Sequence, residues 1–201
     1  RSYMSTTIAS LDTLKELVLD DMMEIESWLC EQLEREQYSS IREINSYLIN
    51  TPGKRLRPLL VCLSFRACNG GKEVSEKKRK SMIQAAAALE LIHMASLVHD
   101  DVIDHAPVRH NQPSIAAKWG METAIPVGVY LYAQSLMNLA LVGNLDVLRV
   151  VSHAVKNLCI GELSQVLDRN NQISVAHYLM ILKKKTGVLF AAAAQVGALI
   201  A

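Results

Sequence analysis

The sequence lacks the closely spaced cysteines of a disulfide-stapled or zinc-bound domain. Its four cysteines are Cys30, Cys62, Cys68 and Cys159, and no two of them form a Cys-x-x-Cys pair. A disulfide framework or a structural zinc site requires closer spacing than this. We therefore expect reduced thiols in core surroundings and a cytoplasmic location.

The chain also lacks a strong net charge and a long apolar run. Its formal net charge is +1, so no global electrostatic field would attract nucleic acid or an anionic membrane. The longest apolar stretch, residues 188–201, is interrupted by Gln195 and is too short to span a bilayer. No signal peptide is recognisable, and Met4-Ser5-Thr6 resembles a native start. We expect neither a transmembrane segment nor a nucleic-acid partner.

No segment alternates as a strand would, and there is no internal repeat or low-complexity linker. Half of the 201 residues are hydrophobic, which suits one domain with a single core. Apolar residues instead recur with helical spacing. The predicted helices cover 11–36, 41–49, a segment that begins near Pro58, 76–104, segments after Ser114, and a last one from Ser174. The sequence predicts an all-α bundle over residues 1–201.

The long run 76–104 carries an acidic face at its end. His93, Ser96, Asp100 and Asp104 recur at i, i+3, i+7 and i+11 and so share one side of the helix. Two carboxylates one turn apart repel each other, and near a helix C-terminus they also oppose the macrodipole. Mg²⁺ between them would relieve both costs, since it binds one or two carboxylates together with water and phosphate oxygens. A solvated helix end is the simpler alternative.

Acidic residues also cluster in the first helix, at Asp20, Asp21 and Glu24. No basic cluster follows them. We interpret this set as a solvated helix face.

Basic residues cluster where phosphate could bind. Residues 53–58, Gly-Lys-Arg-Leu-Arg-Pro, place three cations just before a helix N-terminus, whose free N–H groups favour anions. Arginine adds bidentate geometry. Arg109 follows Asp104 by five residues, and Lys185-Thr186 lies in the last helix. Each cluster alone could be a solvated surface, but together they would serve two anionic substrates and Mg²⁺.

These motifs resemble those of trans-prenyl diphosphate synthases, particularly long-chain members such as heptaprenyl and octaprenyl diphosphate synthases. Residues 53–58 are similar to the isopentenyl diphosphate motif of that family, and 91–93 with 99–104 are similar to its first aspartate-rich region. Residues 161–163 and 185–187 resemble two later signatures, in the same order. The resemblance implies an isoprenoid synthase-type helical bundle around a central apolar pocket, Mg²⁺ as cofactor, and a homodimer.

The resemblance also implies roles for individual residues. Asp100 and Asp104 would bind Mg²⁺ on the allylic diphosphate, with Asp101 in support. The two diphosphates would be held by distinct sets: Lys54, Arg57 and His93 for isopentenyl diphosphate, and Arg109, Lys185 and Thr186 for the allylic diphosphate. The isopentenyl double bond would attack the allylic cation, a proton would then be lost to the released diphosphate, and apolar walls would exclude water.

Product length is a further expectation from the resemblance. Bulky residues just before the aspartate-rich motif block the tunnel in short-product enzymes, and Ala95 and Ser96 stand there in this chain. We expect a long product built on a farnesyl or geranylgeranyl diphosphate primer. A larger residue deeper in the tunnel, such as Ile92, would set a shorter limit.

Three features depart from the family pattern. Arg109-His110 stands for two arginines, so His110 would meet isopentenyl diphosphate with an imidazole that is often neutral at pH 7; Asn111 stands for a glycine. Gly128-Val129-Tyr130 replaces Gly-Asp-Tyr, which we interpret as the loss of a buried polar group. No second Asp-x-x-x-Asp follows residue 104, so we expect a C-terminally incomplete synthase domain.

Other functions stay open at this point. A non-catalytic or regulatory subunit of a heteromeric prenyl diphosphate synthase fits the His110 and Val129 departures. A metal phosphohydrolase built on His99-Asp100 would need a further upstream histidine. A terpene cyclase would not need residues 53–58 for a second diphosphate.

Overall fold

The computed structural model describes residues 10–201, and this part of the chain is helical apart from one small hairpin. Strands β1 (Val108–Arg109) and β2 (Gln112–Pro113) pair antiparallel. The helices are α1 Leu11–Glu16, α2 Leu19–Glu34, α3 Ser39–Asn50, α4 Leu56–Asn69, α5 Glu76–Ile103, α6 Ile115–Trp119, α7 Met121–Val142, α8 Leu145–Leu167, α9 Val175–Leu182 and α10 Val188–Ile200. The all-α prediction is confirmed, while the expectation about Met4 lies outside the described residues.

Helix α5 is the centre of the bundle. Ser75 caps its N-terminus by accepting a hydrogen bond from Lys78 N, and its side chains are buried without a break from Met82 to Ile92. Helix α7 makes the most extensive contact with α5, and α2, α4 and α10 also pack on it. A core helix of this kind must be apolar on every side, which explains its weak amphipathicity. The charged side chains of α5 accordingly lie toward its two ends, with Glu90 as the exception in its buried middle.

Two glycines let helices approach more closely than a side chain would allow. A Cβ added at Gly197 of α10 would lie 2.3 Å from the carbonyl oxygen of Val61 in α4. One added at Gly128 of α7 would lie 2.1 Å from Nε2 of His99 in α5. These contacts draw α10 onto α4 and α7 onto α5, next to the acidic end of α5.

The first predicted helix, 11–36, is in fact two. Val18 interrupts it with a φ of −128° and a side chain that is fully buried. The change of direction lets Val18 enter the core before α2 begins. Periodicity alone did not show this break because apolar residues continue through it.

Three interpretations of single positions are wrong. Asp21 does not belong to a solvated face: it is 4% exposed and accepts hydrogen bonds from Arg66 at 2.7 Å and Arg79 at 3.1 Å. Val129 is 58% exposed, so its position does not replace a buried polar group. All four cysteines are free, but Cys68 and Cys159 are exposed and do not belong to the core.

Two helices have the length and apolar composition of a membrane span, although residues 188–201 do not. Helix α5 is one, and 83% of its most apolar window is buried inside the protein. Helix α7 is the other, with only 28% of its window buried. In α7 the residues Ile125, Val129 and Leu136 are all about half exposed or more, and they share one face. This exposed apolar face is a surface that a partner could cover.

Candidate active site

The basic loop 53–58 leads directly into α4. Arg55 is the residue before the helix and has a left-handed backbone, with φ 49° and ψ 40°. Its side chain points inward, whereas Lys54 is exposed and Arg57 is half-buried. Arg55 forms ion pairs with Glu26 and Glu90, whereas Lys54 and Arg57 form no ion pair among the described residues.

A cavity of about 540 Å³ opens beside this loop. Its floor is apolar, with Leu48, Leu56, Met94, Leu97, Val98 and Ile115 among the lining residues. Its polar rim carries Lys54, Arg57, His93, Arg109 and His110. The structure therefore brings together all four residues predicted to meet isopentenyl diphosphate. An apolar floor under a cationic rim is the complement of a short hydrocarbon diphosphate.

Arg57 and His93 form the inner part of this rim. The Arg57 guanidinium lies 4.6 Å from the centroid of the Phe190 ring in α10, and its buried Nε has no hydrogen-bond partner within residues 10–201. Burial and the charges of Arg57, Arg55, Arg109 and His110 lower the pKa of His93 to about 3. His93 is therefore neutral at physiological pH, so it can offer an anion one N–H but no charge.

Arg109 reaches the rim from the β1–β2 hairpin. Its Nε donates to Oδ1 of Asp101 at 3.0 Å, and its Nη2 donates to the same oxygen. The Asp101 side chain is buried and raises the pKa of Arg109. Asp101 thus fixes Arg109 at the rim of the basic cavity, where the charges of Asp100 and Asp104 also act on it. Its role on the allylic diphosphate stays a prediction.

The turn of this hairpin explains one departure from the family pattern. His110 and Asn111 both have positive φ, 50° and 64°, as the two central residues of a type I′ turn require. Asparagine tolerates the left-handed region better than other side chains, so it can stand where glycine is usual. The His110 side chain is exposed at the cavity mouth.

The acidic face of α5 forms a second cluster. Lys185 Nζ lies 3.4 Å from Oδ2 of Asp100 and 2.9 Å from Oε2 of Glu162 in α8. Burial and the Glu162 charge raise the pKa of Asp100 to about 6, despite the opposing effect of Lys185. One lysine thus neutralises only part of the charge of two carboxylates. This is a site short of positive charge.

A π-helical turn places Lys185. Helices α9 and α10 are continuous through Lys183–Gly187, which has π-helical geometry. A Cβ added at Gly161 of α8 would lie 2.8 Å from the backbone nitrogen of Lys185. The absence of a side chain at Gly161 therefore lets the turn reach Asp100. Such turns are often found at functional sites, and this one was not predicted, because the spacing of Lys185 and Thr186 fits an ordinary helix.

Asp104 and Thr186 lie at the open end of the acidic face. Asp104 is the residue that ends α5, and its Oδ1 accepts a hydrogen bond from Arg169 at 3.1 Å. Arg169 also donates to the carbonyl oxygen of Ile103 at 3.3 Å. Thr186 is exposed. Cationic side chains thus contact both predicted metal ligands in the ligand-free chain.

The donor set fits a hard divalent cation. Oδ1 of Asp100 is buried without a hydrogen-bond partner in the described part of the chain, and burial together with the Glu162 charge raises the pKa of Asp100. No cluster of three or more His, Cys, Asp and Glu side chains suited to a metal occurs within residues 10–201. Two carboxylates are enough for Mg²⁺ when phosphate oxygens and water complete its shell.

The two residues predicted to control product length lie inside the bundle. Ala95 is fully buried, and Ser96 is 8% exposed with its hydroxyl donating to the carbonyl oxygen of His93 at 2.8 Å. Neither lines the basic cavity. Their effect on product length stays a prediction.

Glu162 and Arg169 are site residues that the sequence reasoning did not assign. Glu162 belongs to the signature at 161–163, so the motif could have pointed to it. Arg169 lies 65 residues from its partner Asp104 in a loop without a recognised motif. Only the fold shows that this loop returns to the end of α5.

Comparisons with known proteins place these clusters in a family context. The family model described as polyprenyl synthetase matches residues 38–201. Heptaprenyl diphosphate synthase component 2 of Geobacillus stearothermophilus is 37% identical over 192 residues, which cover 95% of this chain and 58% of that protein. Octaprenyl diphosphate synthase of Escherichia coli is 31% identical, over 96% of this chain and 57% of that protein.

Solved structures agree in fold. A decaprenyl diphosphate synthase from Rhodobacter capsulatus has a TM-score of 0.86 at 31% identity, over 95% of this chain and 57% of that chain. A Caulobacter crescentus polyprenyl synthase, complexed with calcium and isoprenyl diphosphate, has a TM-score of 0.88 at 30% identity. The match covers 96% of this chain and 56% of that chain. The chain thus spans rather more than half the length of these similar proteins.

Proposed function

The chain belongs to the polyprenyl synthetase family, and from that premise we propose that it carries the substrate-binding part of a prenyl chain-elongating enzyme. The proposed reaction joins isopentenyl diphosphate to an allylic diphosphate such as farnesyl or geranylgeranyl diphosphate. The observation that carries the proposal is the presence of two differently built charged clusters beside α5. One is a cationic rim over an apolar cavity, and the other is a carboxylate pair with a lysine.

The cavity suits isopentenyl diphosphate. Lys54 and Arg57 supply the charge for the diphosphate, and the neutral His93 supplies one N–H donor. The apolar floor suits the short hydrocarbon. Arg109, held by Asp101, lies at the same rim, and it could reach either diphosphate when substrates fill the site. The exposed His110 adds a further donor at the cavity mouth.

The acidic cluster suits the allylic diphosphate together with Mg²⁺. Asp100 and Asp104 would hold the ion, and Lys185 would bind the diphosphate after leaving the carboxylates. When bound, Mg²⁺ supplies positive charge that stabilises the departing diphosphate. Support comes from the buried Oδ1 of Asp100, which has no hydrogen-bond partner among residues 10–201, and from the raised pKa of that carboxyl.

Side chains of the bundle would protect the reactive centre. Carbon–oxygen ionisation of the allylic substrate gives a cation that water would quench, so the apolar walls must exclude water. The isopentenyl double bond then attacks that cation, and the released diphosphate accepts the proton that is lost. Lys185 and Arg109 would stabilise the diphosphate as its charge grows. A long product remains our proposal, supported by the small Ala95 and by relatives named as heptaprenyl and octaprenyl synthases.

A labelled isopentenyl diphosphate incorporation assay tests this proposal. It would use farnesyl and geranylgeranyl diphosphate with Mg²⁺, on this 201-residue chain and on a version extended to the length of its relatives. We expect a long prenyl product from the extended version, and its absence together with hydrolysis of either diphosphate would contradict the proposal. Replacing Ala95 with Phe should shorten the product.

A component of a heteromeric synthase is the second candidate. Two relatives at 37% and 38% identity are named component 2 of a heptaprenyl diphosphate synthase, and His110 departs from the paired arginines of the family. The exposed apolar face of α7 could receive an unlike subunit or, as the resemblance implies, a second copy. Light scattering of the purified chain, followed by the incorporation assay, distinguishes an unlike subunit from a second copy. A dimer of this chain alone supports the homodimer. A monomer that turns over substrate only with a co-expressed partner supports the heteromer.

A further inference from the structure

Arg55, the residue before α4, has a left-handed backbone, and its side chain contacts three other helices. Arg55 has no side-chain cap to satisfy the helix end and adopts φ 49°, a region that costs free energy for any residue with a side chain. Such a conformation persists only when surrounding contacts enforce it. The source of those contacts therefore decides the shape of the basic loop.

Two carboxylates from other helices bind the Arg55 guanidinium. Its Nε donates to Oε1 of Glu26 in α2 at 2.7 Å, and its Nη1 donates to Oε1 of Glu90 in α5 at 3.1 Å. Its Nη2 donates to the carbonyl oxygen of Ile49 at the end of α3, at 3.3 Å. Arg55 is thus fixed to three helices at once. It is 15% exposed and has little capacity left for a substrate.

The contacts of Arg55 with Glu26, Glu90 and the Ile49 carbonyl, here called the clamp, also affect the loop residues that face the cavity. The Arg55 guanidinium lies under Gly53, where an added Cβ would be 3.2 Å from Nη1. Lys54 and Arg57 flank Arg55 on either side in the chain, and both line the cavity. Any movement of Arg55 would therefore move both of the predicted diphosphate contacts.

Glu90 links the clamp to Arg57. Its side chain is 3% exposed, and its Oε2 has no hydrogen-bond partner among the described residues. Burial raises the pKa of Glu90, while Arg55 and Arg57 oppose that rise. The Glu90 carboxylate thus contacts Arg55 directly and is close enough to Arg57 for their charges to interact. It can attract Arg57 without forming a bond that would occupy it.

We propose that Glu26 and Glu90 are positioning residues for isopentenyl diphosphate, because they hold Arg55 and thereby set the placement of Lys54 and Arg57. Glu26 lies in α2, before the region 38–201 that the family model matches. The N-terminal helix is then part of the diphosphate site and not only part of the core. This inference rests on the proposed function of the cavity.

The test is calorimetric binding of isopentenyl diphosphate to Glu26→Ala in the protein that carries the whole synthase domain. Glu26 is 40% exposed on its side chain, so its removal is less disruptive than that of buried Glu90. Glu31→Ala is the matched control, since Glu31 lies on the same helix and pairs only with the exposed Arg35. We expect the Kd of isopentenyl diphosphate to rise about tenfold in Glu26→Ala, as loss of a charged hydrogen bond predicts. Glu31→Ala should leave it within about twofold.

Further readouts distinguish positioning from simple stability. The Kd of the allylic diphosphate should stay unchanged in Glu26→Ala, and Glu26→Gln, which keeps an acceptor oxygen, should recover part of the loss. A double-mutant cycle of Glu26→Ala with Arg55→Lys should be non-additive. A lower Tm with equal loss of both diphosphates would overturn the positioning role, as would an isopentenyl diphosphate Kd equal to that of Glu31→Ala.

The same experiment separates this inference from the proposed function. If the unmodified protein binds no isopentenyl diphosphate, the proposed function fails and the positioning role fails with it. If the unmodified protein binds it and Glu26→Ala binds it equally well, only the positioning role is wrong.

Discussion

The two ends of the substrate site are built in opposite ways. At the basic cavity, Arg55 and Arg109 are held by the carboxylates Glu90 and Asp101, and the cations that remain face an open space. At the acidic face, Asp100 and Asp104 already bind Lys185 and Arg169. In the proposed function, the first end can receive a ligand without losing these contacts, whereas the second must exchange partners.

The difference follows from where each cluster lies on α5. Residues near the middle of a core helix are enclosed by neighbouring helices, so a carboxylate such as Glu90 must find a fixed partner. Residues at its C-terminus are less enclosed, and the side chain of Asp104 is 44% exposed, so Asp104 can change partners. A diphosphate alone should therefore bind the cavity, while the acidic face should need a metal ion as well.

The largest expected effect is at the acidic face. Replacing Asp100 with Asn removes a carboxylate that we propose binds Mg²⁺, and the lost charge stabilisation should lower kcat/KM by about 10³-fold. Isopentenyl diphosphate binding should change little. Steady-state kinetics with calorimetry check this, and Asp146→Asn, an exposed residue paired only with Arg149, serves as the control. If Asp100→Asn weakened isopentenyl diphosphate binding as strongly as it lowers kcat/KM, the two ends of the site would not be independent.

The matching change at the basic cavity is Arg57→Leu. Leucine keeps an apolar contact with Phe190 but removes the charge, so the Kd of isopentenyl diphosphate should rise by about 10- to 100-fold. The metal dependence of the reaction should stay as it is. Arg149→Leu, on an exposed surface pair, is the control. A shift in the Mg²⁺ requirement would contradict the assignment of Arg57 to the cavity alone.

A smaller effect tests how Lys185 is placed. A Cβ at Gly161 would collide with the backbone nitrogen of Lys185 at 2.8 Å, so Gly161→Ala should displace the π-helical turn. We expect the KM of the allylic diphosphate to rise about tenfold, because a buried contact of this kind cannot relax freely. Gly187→Ala lies in the same turn, and its nearest contact would be 3.8 Å, so it should change this KM less. The reverse order would contradict the close-packing argument.

The smallest effect concerns pH. The pKa of His93 is lowered from 6.5 to about 3 in the folded chain, so the unfolded chain binds more protons between those values. The His93 contribution to the free energy of unfolding is therefore fully present above pH 6.5 and is lost as pH falls toward 3. Urea titrations at pH 7 and pH 5 should show that the free energy of unfolding falls less on acidification in His93→Gln than in the unmodified chain. Equal losses would mean that His93 can become charged in the folded protein.

Much of the helical frame follows from local sequence. The predicted span 76–104 matches α5, because Ser75 can cap its start and an unbroken apolar run follows. The break between α7 and α8 has an equally local cause, because Gly143 ends α7 with φ 64° and Asn144 caps α8. These signals act within a few residues of each other, so the sequence displays them directly.

The partners of the charged residues could not be predicted in this way. Asp21 meets Arg66 and Arg79 only because α2, α4 and α5 pack together, and helical spacing within α2 contains no trace of those contacts. Arg55 was one of three cations in a motif, and nothing in the motif shows that it is the one held by Glu26 and Glu90. The π-helical turn at 183–187 likewise depends on packing against Gly161. The pairing of charged residues that are distant in the sequence was thus the part of the site that only the three-dimensional structure could show.

The most direct test of the two-ended site is calorimetry with and without Mg²⁺ on the protein that carries the whole synthase domain. Isopentenyl diphosphate should bind in the absence of Mg²⁺ with nearly the same Kd as in its presence. Farnesyl diphosphate should bind the acidic face only when Mg²⁺ is added, because Lys185 and Arg169 otherwise remain on the carboxylates. A Mg²⁺ requirement shared by both ligands, or by neither, would contradict the account.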